Sequence, residues 1–388
     1  MSIAYYIANS DPYDRTRGSG TWYHLVKQLG LPPSQCINLI EYRKFGIFQK
    51  VVIKIKSFFC KKYQMHLSRG VVNTSISNVL KEKEIKEGEQ ILTNDLVTAY
   101  CLMKTHNVIL FTDVFYEAPI KAKKNYNYRK VCYLQLFLLR KIFKKVFKNK
   151  KTLKLVPGEY QYRIAQSIGA RNYHLVPFGI NIDSVYKYGN NRHSAELYRL
   201  RQFNSNLSFT YVGGDIIRKN LALVYETLNE LQLMNSTRSI TLFVCGINQT
   251  KFEEDVAPVL PNPCFNLIIK GKYSPYDASS FIDALLISHW FFVPALAEGY
   301  FIGPIEANYL GVPFIGREAP GFSSVKNGIN GILLPAESNY KDLAATLDQY
   351  KLNDYKLLCQ RAMTKAEEEH SWEKIGVKVT NIIADNFK

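Results

Sequence analysis

Ser208-Phe-Thr-Tyr-Val-Gly-Gly214, then Leu221-Ala-Leu-Val-Tyr-Glu-Thr-Leu-Asn-Glu-Leu-Gln-Leu233, then Ile240-Thr-Leu-Phe-Val-Cys-Gly246 is the stretch that decides the fold. The first and third segments are apolar runs of strand length, each stopped by glycine. The segment between them carries apolar residues at helical spacing. Apolar strands alternating with helices imply a parallel sheet covered on both faces. Toward the C-terminus the alternation continues. Asn266–Ile269, Trp290–Val293 and Pro313–Ile315 read as strands, and Asp277–Ile287 and Pro304–Tyr309 as helices. Toward the N-terminus, Ile3–Ile7, Gln90–Leu92, Val108–Thr112 and Tyr173–Val176 read as strands, and Thr21–Leu29 and Val131–Phe147 as helices. Pro177-Phe178-Gly179 interrupts the pattern between the two runs. The expectation is an α/β chain of two Rossmann-like, doubly wound domains facing a central cleft, with ligands at the carboxyl ends of the strands. The boundaries are 1–178, 179–370, and a terminal segment 371–388 holding the helix Trp372–Phe387.

The chain has 388 residues, 47% of them hydrophobic, which fits a globular protein rather than a disordered one. No segment has the unbroken apolar length of a transmembrane helix. The opening Met-Ser-Ile-Ala-Tyr-Tyr-Ile reads as a core strand rather than a signal peptide. The seven cysteines are scattered without C-x-x-C spacing, which suggests neither a disulfide framework nor a zinc site. A reducing cytoplasm is therefore expected. The seven histidines show no metal spacing either.

The formal net charge is +17, concentrated in the first half. Between Glu117 and Glu159 there is no acidic residue, while lysines and arginines run from Lys121 to Lys154. A second basic run lies at Lys50, Lys54, Lys56, Lys61 and Lys62. Such a field attracts an anionic partner: a lipid surface, nucleic acid or an acidic glycan. In Val131–Phe147, Leu134, Phe137, Leu138, Phe143, Val146 and Phe147 interleave with Arg140, Lys141, Lys144 and Lys145, and Lys148 follows. Two compatible readings are a sheet-covering helix with snorkelling lysines and a basic amphipathic surface resting on anionic lipid.

Ala297-Glu-Gly-Tyr-Phe-Ile-Gly-Pro-Ile-Glu-Ala307 carries the chemistry. Glu298 and Glu306, seven residues between them, flank a glycine-containing loop that opens a helix with Pro304 near its first turn. The loop and the helix start can form an anion site. One carboxylate could reach sugar hydroxyls and the other ribose hydroxyls. Glu306 could equally be a first-turn acid favoured by the helix dipole. Nearer the start, Asp11 to Trp22 contains Gly18 and Gly20, which would let the backbone approach a phosphate or sugar, or form a plain loop.

The second half resembles the retaining glycosyltransferases of family 4, which have the GT-B fold and include bacterial surface-polysaccharide enzymes. Val176-Pro-Phe-Gly-Ile-Asn181 resembles that family's interdomain linker. Tyr211-Val-Gly-Gly214 with Arg218-Lys-Asn220 resembles its diphosphate-binding strand end, and Asn266 to Lys272 its base-contacting strand. Val293 to Ala307 with Gly311-Val-Pro313 resembles its E-x7-E block, and Gly321 to Pro335 the hairpin-like segment that follows. The resemblance implies that Lys219, with Arg218 beside it, neutralises a donor diphosphate and the charge on the leaving group. It implies that Glu298 binds donor-sugar hydroxyls and Glu306 the ribose. Gly18, Gly20, Gly213, Gly214, Lys272, Tyr300, Phe301, Ile302 and Gly303 would complete the donor site. Asp113, at the end of Val108–Thr112, is the candidate near the reacting carbon or acceptor, or else a helix N-cap. Two positions depart from the pattern. Gly214 stands where many members have Arg, and Arg218 is its candidate substitute. Phe301 stands where a small residue is usual, and would narrow the donor pocket or turn away from it. The terminal helix would cross back to the first domain.

The expected activity is metal-independent, retaining transfer from a nucleotide-sugar, UDP- or GDP-linked, to a glycan or lipid-linked glycan in cell-surface polysaccharide synthesis. The nucleotide-sugar is a substrate, and no separate cofactor, metal or nucleic-acid partner is expected. The expected location is cytoplasmic, with peripheral attachment to the inner membrane face through Arg140, Lys141, Lys144, Lys145 and Lys148. The alternatives are a GT-B-fold nucleotide-sugar epimerase and a non-catalytic basic protein binding membrane or nucleic acid.

Overall fold

The computed structural model describes residues 3–14, 20–43, 69–113, 133–180, 185, 191–274 and 276–387. The chain divides into two compact units, Met1–Pro177 with Trp372–Lys388, and Phe178–Ser371.

Among the described residues, the first unit is built on a parallel sheet of β1 (Tyr5–Ala8), β2 (Cys36–Asn38), β3 (Gln90–Thr93), β4 (Asn107–Phe111), β5 (Leu153–Val156) and β6 (Tyr173–Leu175). Its strand order is β2-β1-β3-β4-β5-β6. The helices between them are α1 (Thr21–Gln28), α2 (Arg69–Glu82), α3 (Leu96–Leu102), α4 (Tyr133–Lys148) and α5 (Glu159–Ser167). The core gathers Ile91, Val108 and Leu110 of the central strands with Val72, Ile76 and Val79 of α2 and Leu139, Phe143, Val146 and Phe147 of α4. Burial on both faces is what makes these strands read as apolar runs.

The second unit restarts the alternation. α6 (Arg192–Gln202) leads into β7 (Asn206–Val212), α7 (Leu221–Met234), β8 (Ser239–Cys245), α8 (Gln249–Asp255), β9 (Asn266–Gly271) and α9 (Ser279–Ile287). β10 (Trp290–Phe292), α10 (Gly303–Tyr309), β11 (Phe314–Arg317), β12 (Gly331–Leu334), α11 (Tyr340–Gln349) and α12 (Leu352–Glu369) follow. The order β12-β11-β10-β7-β8-β9 is parallel throughout. The chain lays down β7, β8 and β9 in one direction, then crosses back to place β10 on the other side of β7. The order therefore reverses between β7 and β10, and a crevice opens at such a reversal because the loops leave in opposite directions.

The last helix, α13 (Trp372–Asn386), belongs to the first unit and packs on α1. Trp372 stacks on His24 with ring centroids 5.8 Å apart. A Cβ on Gly376 would lie 2.8 Å from the Gln28 Cβ, so glycine sets the approach of the two helices. The two ends of the second unit are tied together. Ile180 N donates to His370 O at 3.1 Å, and His370 Nδ1 donates to Phe178 O at 2.8 Å. Burial pushes the His370 imidazole down to about 4.

The α/β, doubly wound expectation holds for both units. Two details differ. The segment expected to be hairpin-like, Gly321 to Pro335, is a 3-10 turn at Phe322–Ser324 followed by β12, which pairs in parallel with β11. The Asn327-Gly and Asn330-Gly pairs supply turn geometry, but no returning strand precedes β12, so the register is set by β11. Lys154, read as part of the basic field, is wholly buried in β5. Its ammonium donates to the carbonyls of Asn149 and Thr152, both at 2.6 Å, and to that of Arg171. Burial lowers its pKa to about 7.

Candidate functional site

The loops after β7 and β10, with the start of α10, hold Gly213, Gly214, Arg218, Lys219, Glu298, Tyr300, Phe301, Ile302, Gly303 and Glu306, and they leave the sheet on either side of the order reversal. After β7 the backbone turns at Gly213, whose φ of 154° suits glycine. A Cβ there would meet the Lys219 side chain, 2.7 Å from its Cγ, so the lysine stem lies directly over the glycine. Gly246, ending β8, abuts Gly213, and Gly246 N donates to Gly271 O at 2.8 Å. Glycines thus line the carboxyl ends of β7, β8 and β9 and let the Lys219 stem and the neighbouring backbone come close. Gly214 sits in this turn, its own Cβ position 3.4 Å from Gly246 O.

The turn over Asp215–Asn220 aims two cations at one carboxylate. Arg218 Nη1 lies 2.6 Å from Glu298 Oε1, and Lys219 Nζ lies 2.7 Å from the same oxygen. Arg218 Nη1 also donates to Ala297 O at 3.1 Å, and its Nε is 3.6 Å from Asp215 Oδ2. The main chain repeats the connection, with Leu296 N donating to Arg218 O at 2.8 Å. Lys219 is buried, and burial lowers its pKa. Glu298 opposes that shift and Arg218 adds to it. Arg218 and Lys219 are held side by side on one oxygen of Glu298, with Asp215 at the Arg218 Nε, in a half-desolvated setting. Such a place suits an added anion with several acceptor oxygens, because charge-assisted bonds are strongest there.

The Glu298 loop is held from the other side. Glu298 N donates to Pro320 O at 2.9 Å, Phe301 N to Gly321 O at 3.3 Å, and Ser324 Oγ to Phe301 O at 2.6 Å. Gly321 adopts φ 90°, and a Cβ there would overlap the Glu298 carbonyl. Phe301 is 4% exposed. It turns into the unit, with Phe291, Phe314 and Phe322 ring centroids 6.0, 6.0 and 5.3 Å away. Of the two expectations for this residue, the structure has it turning inward. Lys219 Nζ sits 4.0 Å from its ring centroid.

Tyr300 is buried and meets Phe178 edge-on at 5.4 Å. Ile302 caps α10, accepting from Ile305 N at 2.8 Å and Glu306 N at 3.3 Å. Gly303 opens the helix where a Cβ would press on Phe291, 2.9 Å from its Cζ. Glu306 is buried in the first turn, and its charge adds to the burial that raises the Tyr273 phenol. Lys272 is exposed beyond β9, two strands away from β7.

In the first unit, Gly20 caps α1 in the left-handed conformation, φ 79°. Gly18 lies outside the described residues, as does the basic run Lys50 to Lys62. Asp113 follows β4, half-buried. Arg140, Lys141, Lys144, Lys145 and Lys148 are all exposed on α4, with Phe137 56% and Leu138 49% exposed beside them. Phe143, Val146 and Phe147 face the core instead.

Three contributors were not singled out as site residues from the sequence: Asp215, which pairs with Arg218, and Gly246 and Gly321, which admit the neighbouring backbones. The Pro320-Gly321 pair was the available signal for a tight turn. Among the described residues, no group of three or more His, Cys, Asp or Glu side chains is placed to hold a metal ion. Nor is any helix among them long and apolar enough to cross a membrane.

The segment that builds this site is the one that comparison recognises. Residues 201–369 match the family model of the glycosyl transferases group 1. The chain has the GT-B fold. A glycosyltransferase from Rickettsia africae superposes with a TM-score of 0.62 at 16% identity, covering 99% of each chain. Anabaena Alr3699/HepE, solved with UDP and glucose, gives 0.60 at 11% identity over 98% of this chain and 99% of the other. WaaG, a glycosyltransferase involved in lipopolysaccharide biosynthesis, gives 0.56 at 17% identity over 88% and 97%. No curated protein sequence matches the chain. Within the group 1 segment lie Arg218, Lys219, Glu298 and Glu306, whereas Asp113 and the basic face of α4 lie outside it.

Proposed function

We propose that this protein is a retaining glycosyltransferase that moves a sugar from a nucleotide-sugar to a hydroxyl of a glycan or lipid-linked glycan, in cell-surface polysaccharide synthesis. The observation that carries the reading is the convergence of Arg218 and Lys219 on Glu298 at the strand-order reversal of the second unit. The diphosphate would take up the cations, sharing them with or displacing Glu298 Oε1. Glu298 would then turn to sugar hydroxyls and Glu306 to the ribose. In the reaction the bond from the anomeric carbon to the phosphate oxygen breaks and its electron pair leaves on the diphosphate. The acceptor oxygen bonds to the same face of that carbon, and its proton is released with the nucleotide. Lys219 and Arg218 stabilise the charge growing on the leaving group, which is where preorganised cations lower a barrier most. Asp113 is the proposed partner of the acceptor.

A UDP-linked donor is favoured, since HepE was solved with UDP and glucose. We further propose peripheral attachment to the inner membrane face. The five exposed cations of α4, with Phe137 and Leu138 exposed beside them, support it, because each contributes roughly 1 kcal/mol near an anionic surface.

A thermal-shift panel of UDP, GDP, ADP, CMP and dTDP sugars tests the donor, because a ligand that binds only the native state raises its melting temperature. NMR of the product with an acceptor present reads transfer and the retained anomer. Isomerisation of the donor alone would instead indicate an epimerase. No response to any sugar nucleotide, or full activity in Lys219→Ala, would overturn the reading. Co-sedimentation with anionic and neutral vesicles tests attachment. Equal or salt-insensitive binding to both would refute it.

A further inference from the structure

We propose that Phe301 is a positioning residue for the Lys219 ammonium, holding the charge in place against its ring face rather than contacting the donor. The inference rests on the donor-site reading above and adds to it the means by which this lysine stays charged and aimed.

Lys219 faces a physical conflict. Its ammonium is 2.7 Å from Glu298 Oε1 with Arg218 on the same oxygen, so it shares that oxygen with a guanidinium, which Asp215 meets at its Nε. Burial and the neighbouring guanidinium both disfavour the charged form. A further carboxylate on the ammonium itself would support its charge but add negative charge where an anion is to bind. An aromatic ring supports the cation without adding net charge. Its negative face attracts the cation, and it takes none of the three ammonium N–H donors. The ammonium is 4.0 Å from the Phe301 centroid, inside the range of such contacts.

The ring is itself immobilised. Phe291, Phe314 and Phe322 surround it, and Ser324 Oγ and Gly321 O hold its backbone. The lysine stem is pinned at its other end against Gly213, where no Cβ could stand. Stem and head are thus both fixed before any ligand arrives, and positive charge is presented without reorganisation. Phe301 is 4% exposed, which leaves almost none of the ring for a donor to touch.

The test uses the full-length chain and inorganic pyrophosphate, measured by calorimetry. Replacing Phe301 with mono-, di- and trifluorophenylalanine drains the ring's negative face stepwise while keeping its shape. The expected result is a stepwise loss of pyrophosphate affinity, about fivefold across the series, with the melting temperature unchanged. Phe301→Leu should lose about as much, and Lys219→Ala more. A flat fluorine series with Lys219→Ala impaired would overturn the role of Phe301 alone. If the wild-type chain does not bind pyrophosphate, or Lys219→Ala binds it equally well, the donor-site reading falls, and this inference with it.

Discussion

Gly321→Ala should damage both stability and the site, through a backbone contact that can be costed from the structure. Gly321 has φ 90°, where a side chain costs about 1–2 kcal/mol. The added Cβ would overlap the Glu298 carbonyl oxygen and lie 2.6 Å from its carbon and 2.9 Å from the Glu298 Cβ. Backbone cannot swing aside as a flexible side chain can, so residue 298 must move by about 1 Å. Overpacking of this kind costs about 1–3 kcal/mol. The total expected loss is about 2–5 kcal/mol. Gly328→Ala is the internal control. Its φ is 73°, and nothing lies within 4 Å of its Cβ position, so it should lose only the backbone part, about 1–2 kcal/mol. Equilibrium urea unfolding gives both values, and the difference isolates the collision with Glu298. The same displacement should move the Glu298 carboxylate off Arg218 and Lys219, so sugar transfer should fall in Gly321→Ala and persist in Gly328→Ala. Equal losses of stability and equal activities would refute the argument that Gly321 is there to admit Glu298.

Glu298→Gln should lower stability by about 2 kcal/mol, because it leaves buried Lys219 and half-buried Arg218 without their shared charge, and added pyrophosphate should recover most of that in a thermal melt. Lys154→Met should cost about 2–4 kcal/mol in urea unfolding, since the carbonyls of Asn149, Thr152 and Arg171 lose their donor in a buried setting. Stability should also fall with acid. Burial holds folded His370 near 4 and His289 near 3, against about 6.5 unfolded, so the folded chain binds fewer protons. Their contribution is intact above about pH 6.5 and is lost as pH falls through 4 and then 3. His370 alone accounts for about 3 kcal/mol, so His370→Asn should flatten the slope between pH 6.5 and 4.

Long central strands were legible because they are buried on both faces. Ser208–Val212 and Ile240–Cys245 are mostly apolar, broken only by Ser208, Thr210 and Thr241, and a glycine in a conformation that suits it follows each. The edge strands Cys36–Asn38 and Gly331–Leu334, three and four residues long, were missed, although the equally short Tyr173–Leu175 and Trp290–Phe292 were read. Leu153–Val156 was hidden by Lys154, whose charge reads as surface until the three carbonyls around it are seen. At the site, the residue types and their order were readable, but directions were not. Sequence gave Phe301 two possible orientations, and only packing against three other rings decides between them. Asp215 escaped notice because an acid directly after a glycine pair has no pattern of its own.

The tie between Ile180 and His370 has a consequence for how the protein is made. The second unit is an insertion within the first, entered at Phe178 and left at Ser371. On the ribosome, α1 emerges early, but the α13 surface that covers it, with Trp372, Ile375, Val379 and Ile383 buried, emerges 344 residues after the end of α1, from Gln28 to Trp372. The early half must wait with an apolar face open while the later half is synthesised and folds as its own unit. A ribosome that stalled inside the insertion would leave that face exposed, marking the unfinished chain for chaperones and proteases.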